Sequence, residues 1–261
     1  MLATVYANRW LLASFLRREL STRYAGSATG AAWAILHPLA LLAVYGFVFS
    51  LVFRVRLPAD AGGASYTAFA AVALWPWIMF SEGIVRGMAA VHENASLVRK
   101  VAFPHALVVY AAVGSSFLVH LAGYAVVLAA LAALGEPLHL ARLPFVLFLL
   151  APLLLVATGV AVVLAALQTL LKDVEQVVSI LLMVVFYGTP ILYPLSFVPA
   201  PFGDWMAWSP LASLAERLRD VLIAGQGLAW TDAGYWAIGI ATWWAGQAFF
   251  ERVSPHFEDF L

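Results

Sequence analysis

Long apolar runs separated by short polar stretches dominate this chain of 261 residues. A helix needs about 20 mostly apolar residues to cross roughly 30 Å of hydrocarbon. By that measure six segments are expected to span a membrane: 30–53, 66–88, 105–134, 143–171, 177–195 and 233–250. The fifth loses its regularity near Thr189. Ahead of the first span the pattern changes. Leu11, Leu12, Phe15, Leu16 and Leu20 recur at helical spacing, while Ser14, Arg17, Arg18, Ser21 and Thr22 fill the opposite face. A helix with one apolar and one basic face is expected to lie in the membrane interface, so residues 1–29 are read as an interfacial helix. The alternative is a helix packed on other protein.

Residues 189–226 follow neither pattern. Pro190, Pro194, Pro199, Pro201 and Pro210 interrupt them, and each proline costs about 3 kcal/mol inside a helix. Broken backbone at membrane depth is tolerated where it is buried in protein or lines a watery cavity. The expectation is short outer re-entrant helices over 196–226, between spans five and six, shaping a pore mouth. An external loop capped by one surface helix over 211–223 is the alternative.

Composition agrees with the pattern. The chain is 64% apolar and 11% charged, with a mean hydropathy of +0.93. Soluble domains carry about 25% charged residues, too many for this chain to match. The fold class expected is an all-α integral membrane protein, a single transmembrane domain over residues 1–261. The net charge is zero, which argues against nucleic acid as a partner, because neutralising phosphates needs a basic excess. There is no cysteine, so disulfides, thiol catalysis and thiolate metal sites are excluded. The six histidines form no ligand pair, and no metal site is expected. Arg9, Arg17 and Arg18 break the first apolar stretch, so no cleavable signal is expected there.

Basic residues orient the spans. With the N-terminus in the cytoplasm, the inside holds Arg9, Arg17, Arg18, Arg23, Arg86, Arg99, Lys100, Lys172 and Arg252, and the outside Arg54, Arg56, Arg142, Arg217 and Arg219. Nine against five favours that orientation, and six spans return the C-terminus to the cytoplasm.

Few residues carry recognisable chemistry. No G-x-x-x-x-G-K-[ST] loop occurs, so this chain is not expected to bind ATP in that way. Glu82 and Arg86 stand four apart on one face of span two, where a structural ion pair within the bundle is expected. Gly83 and Gly87 permit close helix approach. The segment AVHENASLVRKVAFP (90–104) is read as a cytoplasmic loop in which Asn94 caps a short helix. Such a helix makes a lever for a partner, or a passive connection. Aromatic residues, 14% of the chain, concentrate around span five and the proline-rich segment. Most suit interfacial anchoring. Trp75, Trp77, Tyr187, Tyr193 and Phe197 are also candidates for lining a sugar path, because pyranose C–H faces pack on aromatic rings and Tyr and Trp keep a polar handle.

Three blocks resemble the membrane subunits of polysaccharide ABC exporters, the O-antigen, capsule and teichoic-acid type. The first is Arg17-Arg18-Glu19-Leu20, Arg23-Tyr24 and the run from Gly30 through Trp33 to His37-Pro38. It is similar to the family's basic interfacial helix and the start of its first span, with Thr29 where leucine is common. The second is Asn94-x-x-Leu97-Val98-x-Lys100-x-x-Phe103-Pro104, similar to the family's coupling segment. The third is Thr189-Pro190-Ile191-Leu192-Tyr193-Pro194, then Ser209-Pro210-Leu211 and Arg219. It is similar to the outer re-entrant region, with Ser209 where asparagine is usual.

The resemblance implies a homodimer bound to two copies of a separate ATP-binding-cassette ATPase, which holds the ATP and magnesium. It implies a lipid-linked polysaccharide substrate, O-antigen foremost, and a place in the bacterial inner membrane. It implies that the interfacial helix and the 90–104 segment meet the ATPase, with Glu93, Asn94, Leu97, Val98, Arg99 and Lys100 as the coupling candidates. Arg17, Arg18 and Arg23 are the candidates for meeting the pyrophosphate of the lipid anchor, or anionic headgroups. The chain is thus expected to be a transport subunit and not an enzyme. The rivals are an exporter of drugs or small hydrophobic molecules, a membrane-embedded enzyme modifying lipid or glycan, and a passive assembly protein.

Overall fold

The computed structural model describes residues 6–23, 30–55, 57 and 63–259. Arg56, Tyr24, Thr29 and parts of the expected interfacial helix lie outside them. Ten α-helices follow one another among the described residues: α1 (Arg9–Thr22), α2 (Trp33–Tyr45), α3 (Tyr66–Glu93), α4 (Ala95–Lys100), α5 (Ala106–Ala133), α6 (Leu143–Leu170), α7 (Val174–Tyr187), α8 (Phe202–Ala207), α9 (Pro210–Leu222) and α10 (Ala233–Val253). Four segments are long and apolar enough to cross a membrane: Ile35–Val52, Tyr66–Glu93, Ala106–Ala133 and Leu140–Leu170. The chain is an all-α membrane protein.

Local chemistry sets the helix ends. The Ser65 hydroxyl accepts the Ala68 amide at 3.2 Å and starts α3, satisfying one of the orphan donors of a first turn. Gly135, with φ +86°, ends α5 in the left-handed region, where glycine carries no Cβ penalty. Pro210 takes the first position of α9, where its missing N–H costs nothing. Span one continues past α2 as wide π-type turns over Gly46–Val52.

Span two, α3, is the central helix. It packs on α5 and α6, and α10 packs along α6. Small residues set these distances. A Cβ on Gly87 would stand 2.6 Å from Val113 and 2.7 Å from Ala161, and one on Gly83 would meet Phe117 at 3.1 Å. The Gly83/Gly87 pair therefore serves packing inside the protomer, against spans three and four. Between α6 and α10 the backbones themselves touch: a Cβ on Gly159 would lie 2.5 Å from the Thr242 carbonyl oxygen, and one on Gly246 would collide with the Gly159 carbonyl. Without a hydrophobic drive between helices in lipid, such close backbone contact is what holds them together.

Spans one and five are covered very differently. Only 11% of the span-one window is buried, against 72% for α3, and Val178 is the only buried residue of α7.

The largest departures from the sequence reading are the ends of spans two and five. The second span is expected to stop at 88, but α3 runs on to Glu93, because a helix leaving the membrane keeps its backbone bonds satisfied. The fifth span is expected over 177–195, but α7 ends at Tyr187. Its 14 residues cover about 21 Å, short of the roughly 30 Å of hydrocarbon, and Pro190 and Pro194 prevent a regular continuation.

The ends of the molecule are clear from side-chain contacts. Phe15 of α1 meets Phe103 at 5.5 Å, and Phe257, near the C-terminus, meets both Phe250 and His105. The interfacial helix, the 90–104 segment and the C-terminal turn thus share one end. At the other end, Ser65 donates to Glu136 at 2.9 Å and His139 donates to the Leu222 carbonyl at 2.8 Å.

Candidate functional site

At the first end, charged side chains fasten α1 to the bundle. Glu19 accepts Arg86 at 3.0 Å, Arg18 donates to the Asn94 side-chain oxygen, and Arg23 pairs with Glu82. His120, on α5, faces the other Glu82 oxygen at 2.5 Å. This corrects the expected Glu82–Arg86 pair: the two share a face of α3, but Arg86 takes Glu19 on α1 and Glu82 takes Arg23, just after α1, and His120. His120 was not anticipated. A lone histidine inside an apolar span was the available signal, since ionisable groups at that depth need a partner.

The same contacts change the standing of the three arginines. Arg18 and Arg23 are committed to protein partners. Arg17 is exposed and takes part in no ion pair among the described residues.

The 90–104 segment has a buried and an exposed face. Asn94 is buried, and its amide donates to the Ala90 carbonyl at 2.8 Å while its oxygen receives Arg18. Its side chain therefore does not cap α4, contrary to the sequence expectation; the Asn94 backbone carbonyl accepts the Leu97 and Val98 amides instead. Val98 is buried, Leu97 half-buried, and Glu93, Arg99 and Lys100 are exposed.

At the other end, α9 carries two buried arginines. Arg219 donates to the Phe69, Pro190 and Ile191 carbonyls at 3.2, 3.0 and 2.7 Å, and to Glu216 at 2.7 Å. Its guanidinium lies 3.6 Å from the Phe69 ring centre. This one side chain ties the broken backbone after α7, helix α9 and span two together. Arg217 holds Asp232 through two bonds of 2.8 and 3.1 Å. Burial alone would raise the Asp232 pKa, but the Arg217 guanidinium and the Ala229 amide, at 2.8 Å, hold its carboxyl below the usual carboxylate range.

Phe49, Tyr66, Phe186, Tyr187, Tyr193 and Phe197 surround a cavity of about 330 Å³ at this end. Trp77 joins the group through Phe186, 5.6 Å away. The structure so brings together Trp77, Tyr187, Tyr193 and Phe197. Trp75 lies apart from them, fully buried, and borders a separate cavity with Glu82 and His120.

A central span flanked by closely packed helices, two spans left uncovered, a lever-shaped loop at one end and broken helices at the other describe the membrane domain of a transporter. The chain belongs to the ABC-2 type transporter family, whose model matches residues 11–223. It is 29% identical over 215 residues to the O-antigen export system permease protein RfbA of Klebsiella pneumoniae, covering 82% of this chain and 81% of the relative. It is 28% identical over 263 residues to the protein of the same name from Myxococcus xanthus, covering 98% and 96%. The polysialic acid transport protein KpsM of Escherichia coli is 23% identical over 208 residues, covering 80% and 79%.

Proposed function

We propose that this chain is the channel-forming subunit of an ATP-driven exporter that moves lipid-linked polysaccharide, of the O-antigen type, across the bacterial inner membrane. The observation that carries the reading is family membership together with end-to-end similarity to an O-antigen export permease. The aromatic cavity at the outer end supports it, since stacked rings give a sugar chain a surface to slide on without a tight site.

In this reading two copies of the chain assemble with two copies of a separate ATPase, which binds ATP and magnesium. The N- and C-termini and the 90–104 segment lie in the cytoplasm. The ATPase presses on the exposed face of that segment, through Glu93, Leu97, Arg99 and Lys100. Asn94 and Val98 act from the inside, holding α4 against α3 and α1, so that the push reaches the interfacial helix through Arg18. Arg17 faces the lipid surface and attracts the anchor pyrophosphate, where one basic residue contributes roughly 1 kcal/mol.

The deciding experiment is depletion of the protein in its native cell, with separate blots of surface and intracellular glycan. Loss of long chains from the surface with accumulation inside is the expected result. Unchanged surface glycan with no accumulation refutes polysaccharide export.

A further inference from the structure

Where the interfacial helix gives way to span one, a cavity of about 290 Å³ opens between spans one, two and three. Trp33, half-exposed at the start of α2, and the buried Trp75 of α3 supply two indole walls, with Pro38, Leu41, Ile78 and Val119 completing the apolar lining. The polar lining is Arg23, His37, Glu82 and His120. Nothing in the outer aromatic group reaches this place.

Its chemistry narrows the occupant. Arg23 and Glu82 form an ion pair, so their charges cancel and the cavity offers no net positive field for a phosphate. A carboxylate has about four lone-pair positions. Arg23 occupies one Glu82 oxygen and His120 the other, and each oxygen keeps a further lone pair for a ligand hydroxyl. His37 adds ring nitrogens. Fixed hydroxyl partners beside an indole face match an uncharged, hydroxylated ring. Pockets for drug-sized ligands run about 300–1,000 Å³, so this one, at about 290 Å³, takes a single ring and not an oligosaccharide.

We propose that this cavity receives one hexopyranose ring at the loading end, the sugar attached to the lipid anchor, with Trp33 as its stacking face and Glu82 and His37 as its hydroxyl partners. The assignment rests on the export reading and adds a subsite that distinguishes a glycosylated lipid from a bare one. Arg17, outside the cavity, is left to the anchor's phosphates.

The test uses the full-length chain in lipid nanodiscs. Binding is measured for farnesyl diphosphate, and for farnesyl diphosphate carrying one glucose, mannose, galactose or N-acetylglucosamine. At least one sugar-bearing probe is expected to bind more tightly than the bare diphosphate. Trp33→Ala is expected to reduce that gain roughly threefold to tenfold, the range for one aromatic contact, and to leave the bare diphosphate unaffected. Val119→Phe, which narrows the cavity from the α5 side, should do the same and serves if Trp33→Ala fails to fold. The proposal is overturned if no sugar-bearing probe exceeds the bare diphosphate, if the gain survives the substitution, or if both probes weaken equally. The depletion experiment separates the two readings. Intracellular accumulation with no sugar gain here keeps export and removes this cavity from it; unchanged surface glycan removes export whatever the probes do.

Discussion

Replacing Arg219 by methionine tests whether one side chain holds the outer segment in place. The substitution keeps a flexible apolar stem but removes every donor. Two buried carbonyls, those of Pro190 and Ile191, lose this donor, while that of Phe69 keeps its intrahelical bond within α3. Each orphaned buried acceptor costs about 1–3 kcal/mol, so the gross loss is roughly 2–6 kcal/mol. Glu216 is 41% exposed on its side chain and rehydrates, adding little. Burying a thioether in place of a cation returns about 2 kcal/mol, and a net cost of about 2 kcal/mol corresponds to a fall in Tm of about 4–8 °C. The assay is thermal unfolding of the detergent-solubilised protein, with Arg252→Met, at an exposed position, as the control. In parallel, protease sensitivity of the segment after Tyr187 should rise in the Arg219 variant alone. A Tm within about 2 °C of the parent and unchanged protease sensitivity would show that these carbonyls find other partners and that the arginine is not the tie described.

Other consequences can be checked together. Glu19→Arg and Arg86→Glu should each lower the yield of folded protein, and the double substitution should restore it on size-exclusion chromatography; no rescue argues against the pair. Gly246→Val should separate spans four and six, because its side chain would enter the Gly159 carbonyl, and a Tm unchanged from the parent would contradict the backbone contact. Asp232 has a folded pKa below its ordinary 3.8. Its contribution is therefore complete above that value and lost as pH falls below it toward the folded pKa, so Asp232→Asn should flatten the acid limb of the stability profile, and a parallel profile would refute this. Arg99→Glu with Lys100→Glu should weaken co-purification of the ATPase while leaving the Tm of the chain alone intact; full recovery of the ATPase would remove that face from the interface.

The spans were legible because lipid leaves few choices: a crossing helix must be long and apolar, and hydropathy reads that directly. Partnerships were not. The four-residue spacing of Glu82 and Arg86 suggested a pair, yet the partners they take, Arg23 and Glu19, stand 59 and 67 residues away in the chain. Short-range rules carry no information about contacts that tertiary packing creates. The prolines correctly marked where the fifth span breaks, but not that Arg219 would repair the exposed carbonyls. The 90–104 segment was legible as one block, while its division into a buried pair and an exposed face depends on how α4 turns against α3.

The arginines at the α1 end of the bundle act twice in the history of the chain. During insertion, before helices associate, Arg18 and Arg23, ahead of span one, and Arg86, toward the end of span two, help decide which way each span threads. Once the bundle closes, the same three become struts to Asn94, Glu82 and Glu19. Removing one of them can therefore fail in two separable ways: as a topology defect while the chain is being made, or as a loosened joint afterwards. A carboxylate on the partner side, such as Glu19 or Glu82, has little say in topology, so its loss exposes the second failure without the first.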